Sequence, residues 1–224
     1  MKIFSRILFL LLAFNFLQCS INAQDSNPAD AIKVACIGNS ITYGSGIKDR
    51  EHNSYPAALS RLLGSEYDVK NFGVSGRTLL KHGDFPYTNE KAYTDAKEFL
   101  PNVIIIKLGT NDTKPQNWKF KAEFEKDYCD FIDSLSSISS HPKIYICKPV
   151  PAYEVRWGIN DSVLVNEQIP LIEKIGKEKN VPVIDLHTPF LDKGKYFPDG
   201  IHPDAEGAAL MADEIYNAIW GKKK

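Results

Sequence analysis

Neither sign of charge is in excess in this chain: 27 lysines and arginines face 28 aspartates and glutamates, for a formal net charge of -1. That balance argues against an electrostatic grip on nucleic acid or anionic lipid. Cysteine is scarce, with four residues at 19, 36, 129 and 147 and no metal-ligand spacing between them, so no zinc-binding cysteine framework is expected. No internal repeat is visible, and low-complexity sequence is confined to the first residues and to Lys222-Lys223-Lys224. The apolar run from Ile7 to Leu17 falls short of the roughly 20 residues of a comfortable membrane span.

What is present suits an ordinary core. Hydrophobic residues make up 43% and aromatic residues 11% of 224 positions, a size and composition that fit one α/β domain. The N-terminus reads differently. Lys2 and Arg6 precede the apolar run, and a polar stretch then leads to Ala23. These are the zones of a secretory signal, expected to span residues 1–23 although Ile21 is bulky for its place before the cut. Lipidation at Cys19 is a competing reading, which the flanking Phe16-Leu17-Gln18 fits poorly. Either way the expected location is outside the cytoplasm, periplasmic or secreted, with no membrane span in the mature chain. Residues 24–30, with Pro28, read as a linker, and residues 31–221 as the folded domain. Of the three cysteines then left, Cys36 and Cys147 lie in apolar runs and read as small buried hydrophobes. One disulfide stays open as an alternative in an oxidising compartment.

Strand-like and helix-like segments alternate along that domain. Ile32–Ile37, Tyr67–Phe72, Val103–Leu108, Lys143–Cys147 and Val181–Leu186 read as strands. The three consecutive isoleucines of the third suggest burial on both faces. Helical spacing appears in Tyr55–Leu63, in the series Phe120, Phe124, Tyr128, Phe131, Ile132 and Leu135, in Ile169–Lys179 and in Ala205–Trp220. Such alternation predicts a parallel sheet of five strands covered by helices on both sides. Parallel sheets carry their functional loops at the carboxyl ends of the strands. Ser40, Gly73, Asn111 and the pair Asp199 and His202 all fall at such ends.

Four sequence blocks occupy those loops: Gly38-Asn39-Ser40-Ile41-Thr42, Asn71-Phe72-Gly73-Val74-Ser75-Gly76, Gly109-Thr110-Asn111-Asp112 and Asp199-Gly200-Ile201-His202-Pro203. In this order they resemble the SGNH, or GDSL-type, hydrolase family. The resemblance implies a three-layer α/β/α sandwich with a flavodoxin-like five-stranded parallel sheet. It implies Ser40 as nucleophile, His202 as general base and Asp199 as the acid that orients it. It also implies an oxyanion hole from the Ser40 and Gly73 N–H groups and the Asn111 amide. One departure stands out: the family's usual aspartate is Asn39 here, which keeps the shape and drops the charge. The first block is not a Gly-x-Ser-x-Gly elbow, which disfavours the α/β-hydrolase superfamily.

These residue types suit acyl transfer. A serine hydroxyl needs a base, imidazole is a fitting one, and a carboxylate fixes its tautomer. The expected activity is serine-dependent hydrolysis of O-acyl esters, O-acetyl by preference, on carbohydrate, with no cofactor or metal. Two alternatives remain: a lysophospholipase or thioesterase, and a glycan-binding relic without turnover. Tyr87, Trp118, Tyr153 and Trp157 lie in or near loops where aromatic rings stack on sugars, line an acyl site or pack the core. Trp157 is the favoured sugar contact. Arg77 and Arg156 are candidates for binding a carboxylate, or ordinary surface pairs. His52, His82, His141 and His187 lie in no block and read as surface or structural.

Overall fold

The structure, a computed structural model, describes residues 31–221. The expected signal segment, Cys19 and the linker lie outside the described residues. In chain order the elements are β1 (Ile32–Gly38), α1 (Ser40–Tyr43), α2 (Arg50–Asn53), α3 (Tyr55–Leu63), β2 (Tyr67–Gly73), α4 (Lys91–Glu98), β3 (Val103–Lys107), α5 (Pro115–Trp118), α6 (Phe124–Ser136), β4 (Lys143–Cys147), α7 (Asp161–Val163), α8 (Ile169–Glu178), β5 (Val183–Ile184) and α9 (Ala205–Ile219). The strands form one parallel five-stranded sheet in the order β2-β1-β3-β4-β5.

The three layers follow from the side-chain alternation of β3. Ile104 and Ile106 join the cluster built with Phe124, Tyr128, Phe131 and Leu135 of α6 and Ile172 and Ile175 of α8. Ile105 points the other way, into the cluster of Tyr55 and Leu59 of α3 and Met211 and Ile215 of α9. All three isoleucines are fully buried. Each contributes about 1.5–3 kcal/mol through that burial, and β-branching suits the strand. The order of the strands also locates the site. The chain moves from β1 out to β2, then crosses back to β3 on the other side, so the topological switch lies between β1 and β3. The carboxyl ends flanking such a switch are where ligands bind in open α/β sheets.

Two elements are shorter than expected. The last strand keeps only Val183–Ile184. Pro182 has no N–H to offer, though its carbonyl accepts from Ile146. Beyond Ile184, Asp185 turns the chain by accepting from the N–H groups of His187 and Thr188, both at 2.9 Å. The helix expected from Phe120 begins at Phe124, preceded by a 3₁₀ turn over Lys121–Glu123. Cys36 and Cys147 are buried as expected, and the three cysteines of the described residues are free thiols. Burial pushes the Cys147 thiol up to about 12, which leaves it inert.

Candidate active site

Gly38 ends β1, and a Cβ there would lie 2.0 Å from Thr42 Oγ1 and 2.7 Å from the Lys107 carbonyl. Glycine thus lets the strand turn directly into α1. Asn39 caps that helix, its Oδ1 accepting from Ile41 N–H at 3.2 Å. Asn39 is fully buried, and its Nδ2 finds no hydrogen-bond partner among the described residues. The cap needs only an oxygen, so the loss of the family's charge leaves it intact. Ser40 follows as the first helical residue.

The other half comes from the loop before α9. Asp199 Oδ1 accepts two main-chain N–H groups, from Ile201 at 2.9 Å and His202 at 2.7 Å. This turn, with Gly200 at φ 78°, swings the imidazole back over the carboxylate. His202 Nδ1 lies 2.7 Å from Asp199 Oδ2, and Nε2 lies 2.8 Å from Ser40 Oγ. Burial pulls the Asp199 carboxyl upward. The main-chain and imidazole donors of His202, the Ile201 N–H and the His202 charge outweigh it, leaving the group below its ordinary value. An ionised carboxylate only accepts, so Nδ1 carries the proton and Nε2 is left to accept from the serine hydroxyl.

Asn111 lies in the 3₁₀ turn Thr110–Thr113 after β3 and is 4% exposed. One amide hydrogen donates to the Arg77 carbonyl at 3.0 Å, which fixes the side chain and leaves the second hydrogen available. Its neighbour Asp112, fully buried, accepts from Leu79 N–H at 3.0 Å through Oδ2 and from Leu80 N–H at 2.7 Å through Oδ1. That clamp ties the loop after β2 to the turn carrying Asn111. Burial pushes Asp112 up to about 7 against those bonds. Beneath the turn, Lys107 is fully buried and donates to Thr110 Oγ1 at 3.0 Å. Burial pushes its ammonium down to about 7.

One expectation needs correction. Gly73 belongs to β2 rather than to the loop after it, and its N–H is engaged by Asn71 Oδ1 at 2.9 Å. A Cβ there would meet Tyr43 N at 2.2 Å, so this glycine serves close packing on α1. Gly76, three residues on, lines the pocket at φ 80° and donates no hydrogen bond among the described residues. Sequence reasoning missed it although it stands in the quoted block; a second glycine beyond the strand end was the available signal. Arg77 takes the second of its two readings, pairing with Glu90 at 2.7 Å and donating to the Ser75 carbonyl at 2.7 Å. Its part in the site is the carbonyl that holds Asn111.

Ser40, His202, Asn111 and Gly76 open into a pocket of about 200 Å³, bordered also by Ser45, Ser75, Lys114, Trp157 and Ile159. Trp157 stands 55% exposed, its ring 5.4 Å from the His202 ring. It has φ 53° and Gly158 has φ 82°, within a tight hairpin closed by Ile159 N–H to the Arg156 carbonyl at 2.9 Å. A left-handed backbone is costly for a bulky residue. The other loop aromatics pack inward: Tyr87 is fully buried with its hydroxyl on the Phe72 carbonyl, Trp118 is buried with its Nε1 on Glu167, and Tyr153 donates to the Phe190 carbonyl. A larger groove of about 600 Å³ runs along α8 and β5, where Lys148 is already paired with Glu173 and Asp185. It holds no nucleophile–base pair.

The model of the GDSL-like Lipase/Acylhydrolase family matches residues 36–210. An acetylxylan esterase of Xylanibacter ruminicola is 47% identical over 208 residues, covering 85% of this chain and 43% of that protein. A multidomain esterase of Ruminococcus flavefaciens is 27% identical over 231 residues, covering 89% of this chain and 30% of that protein. The chain thus spans less than half the length of these curated relatives. Among solved structures, a two-domain esterase active on acetylated mannans, co-crystallized with mannopentaose, superposes with a TM-score of 0.64 at 20% identity, covering 86% of this chain and 50% of that one. An acetyl xylan esterase superposes with a TM-score of 0.62 at 20% identity, covering 84% and 100%. At that identity the superpositions speak for the fold.

Proposed function

The chain belongs to the GDSL-like lipase/acylhydrolase family, and from that premise we propose that it is a serine esterase removing O-acetyl groups from carbohydrate. One observation carries the reading: the unbroken hydrogen-bond relay from Ser40 Oγ through His202 to Asp199, with contacts of 2.8 and 2.7 Å, opening into a small pocket.

In this scheme His202 Nε2 takes the hydroxyl proton as Ser40 Oγ attacks the ester carbonyl. Asp199 steadies the imidazolium that forms. The Ser40 and Gly76 N–H groups and the second Asn111 amide hydrogen meet the charge on the former carbonyl oxygen. One such donor is typically worth about 10²–10³ in rate. The imidazolium then protonates the departing sugar hydroxyl, and water, activated by the same nitrogen, releases acetate. None of these steps calls on a metal or cofactor.

A pocket of about 200 Å³ at the reactive serine holds an acetyl group. The acetylated glycans named for the acetylxylan esterase relative and the mannan-active structure support a carbohydrate alcohol. Export is part of the same reading, resting on the sequence of residues 1–23; among the described residues no helix is long and apolar enough to cross a membrane.

The test is acetate release from acetylated xylan and mannan, beside p-nitrophenyl acetate and octanoate. Wild type prefers acetate esters, and Ser40→Ala lowers turnover by roughly 10⁵–10⁶-fold with an unchanged unfolding midpoint. A strong octanoate preference would favour the longer-chain acyl hydrolase, and glycan binding without Ser40-dependent turnover would make the chain a binding module.

A further inference from the structure

We infer that Gln168 is a positioning residue for the proposed reaction: from the π turn ahead of α8 it fixes the Gly109 carbonyl and so sets the turn that aims the Asn111 amide at the developing oxyanion. The inference rests on the reading of Asn111 as an oxyanion donor and adds to it a residue from outside the four sequence blocks.

The contact is direct. Gln168 is fully buried, and its Nε2 donates to the Gly109 carbonyl at 2.8 Å. That same carbonyl accepts from Asp112 N–H at 3.0 Å, so the bond from Gln168 falls on the link that closes the 3₁₀ turn around Asn111. Gly109 makes the approach possible. It opens the turn at φ 111°, and a Cβ there would lie 2.9 Å from Gln168 Oε1. Other bonds to the turn come from the loop after β2, through the Arg77 carbonyl and the Leu79 and Leu80 N–H groups, and from the nearby Lys107 and Asn117. Among the described residues, Gln168 is the only side chain between β4 and β5 that hydrogen-bonds to residues 109–113.

Packing and stability do not account for a glutamine at this position. Its Oε1 finds no hydrogen-bond partner among the described residues, a loss that a methionine of similar volume would avoid. The Gly109 carbonyl keeps its bond from Asp112 without Gln168, so the amide is not needed to satisfy that oxygen. Gln168 also ends a single π turn, Leu164–Gln168, between α7 and α8. Such turns are rare and often lie at functional sites. Pro170 lacks an N–H and so interrupts the α-helical ladder, but it does not dictate which side chain stands at 168. Within the same turn Glu167 accepts from Trp118 Nε1 at 2.9 Å. Residues 167 and 168 thus grip both ends of the segment 109–118, with Asn111 between them. A preorganised donor stabilises the oxyanion only while it is held in place, and small displacements are costly in rate.

A double-mutant cycle on p-nitrophenyl acetate tests it. Gln168→Met lowers kcat about tenfold while KM stays within about twofold, and the unfolding midpoint moves by no more than about 4 °C. In an Asn111→Ala background the same substitution changes kcat by less than about twofold, because the donor that Gln168 positions is gone. A Gln168→Met effect as large without Asn111 as with it, an effect confined to KM, an unchanged kcat, or a variant that does not fold overturns this inference alone and leaves Gln168 a core residue. If Asn111→Ala by itself leaves kcat unchanged, the oxyanion role of Asn111 fails, and this inference fails with it.

Discussion

Asp199 and Asp112 each accept two main-chain N–H groups, yet their carboxyls shift in opposite directions. Asp199 keeps 29% of its side chain exposed and faces an imidazole that shares its charge. Asp112 is fully buried, and no cation pairs with it among the described residues. Hydrogen bonds to the charged form win at the first; loss of water wins at the second. The lesson concerns how the bonds are distributed as much as how many there are. At Asp199 both backbone bonds fall on Oδ1, leaving Oδ2 for the imidazole. At Asp112 each oxygen holds one. The first arrangement serves a reacting partner; the second clamps two loops together.

Amide substitution separates the two. In Asp199→Asn the remaining oxygen still takes both backbone N–H groups, while the new NH₂ faces His202 Nδ1 and imposes the wrong tautomer. The expected outcome is a fall in kcat of about 10⁴ with a small change in stability. Because the folded-state carboxyl lies below its ordinary value, the Asp199 contribution is fully present above about pH 4 and is lost as pH falls through the shifted value. Steady-state kinetics at neutral pH therefore report the substitution with the wild-type carboxylate ionised. If kcat falls less than tenfold, Asp199 is not the orienting acid.

Asp112→Asn has no such escape. Its NH₂ must confront either Leu79 N–H or Leu80 N–H, leaving a buried donor unsatisfied at a cost of about 1–3 kcal/mol. For a domain of this size that lowers the melting temperature by roughly 2–4 °C per kcal/mol. Activity falls less than in Asp199→Asn, since only the bracing of Asn111 is loosened. A variant that melts like wild type would show that the clamp between the two loops contributes nothing to stability.

The same contrast explains how much was legible in the sequence. Ser40 and Asn111 stand just beyond strand ends and Asp199 and His202 in the loop before α9, and the four sequence blocks pointed to them through the family resemblance. The five parallel strands followed from periodicity and alternation, while their flavodoxin-like arrangement was implied only by the family resemblance. Gly73 was misplaced because β2 runs one residue further than its apolar pattern, and the Asn71 side chain that engages its N–H is a local contact no pattern announces. The fates of Arg77 and Trp118 depended on Glu90 and Glu167, 13 and 49 residues away. Whether a loop aromatic packs inward or stands in solvent is decided by such distant partners. The left-handed turn at Trp157 is likewise hidden, since asparagine, not tryptophan, is the residue that signals it.

Lys107 extends the contrast to the opposite charge, read through the pH dependence of stability rather than through activity. Its ammonium has one neutral partner, Thr110 Oγ1, so burial dominates as it does at Asp112 and the folded-state value drops to about 7 from an ordinary 10.5. Between those limits the unfolded chain binds more protons than the folded one, so this group makes stability rise as pH rises from about 7 toward 10.5. Below about 7 the charged form is present in both states and the penalty is at its full value. Lys107→Met removes the charge and keeps much of the volume. Denaturant unfolding of the two proteins, compared at each pH so that shared titrations cancel, should show the variant's advantage greatest near pH 7 and shrinking toward pH 10. A difference that stays constant over that range would mean that the Lys107 ammonium is stabilised in the fold by more than the Thr110 hydroxyl.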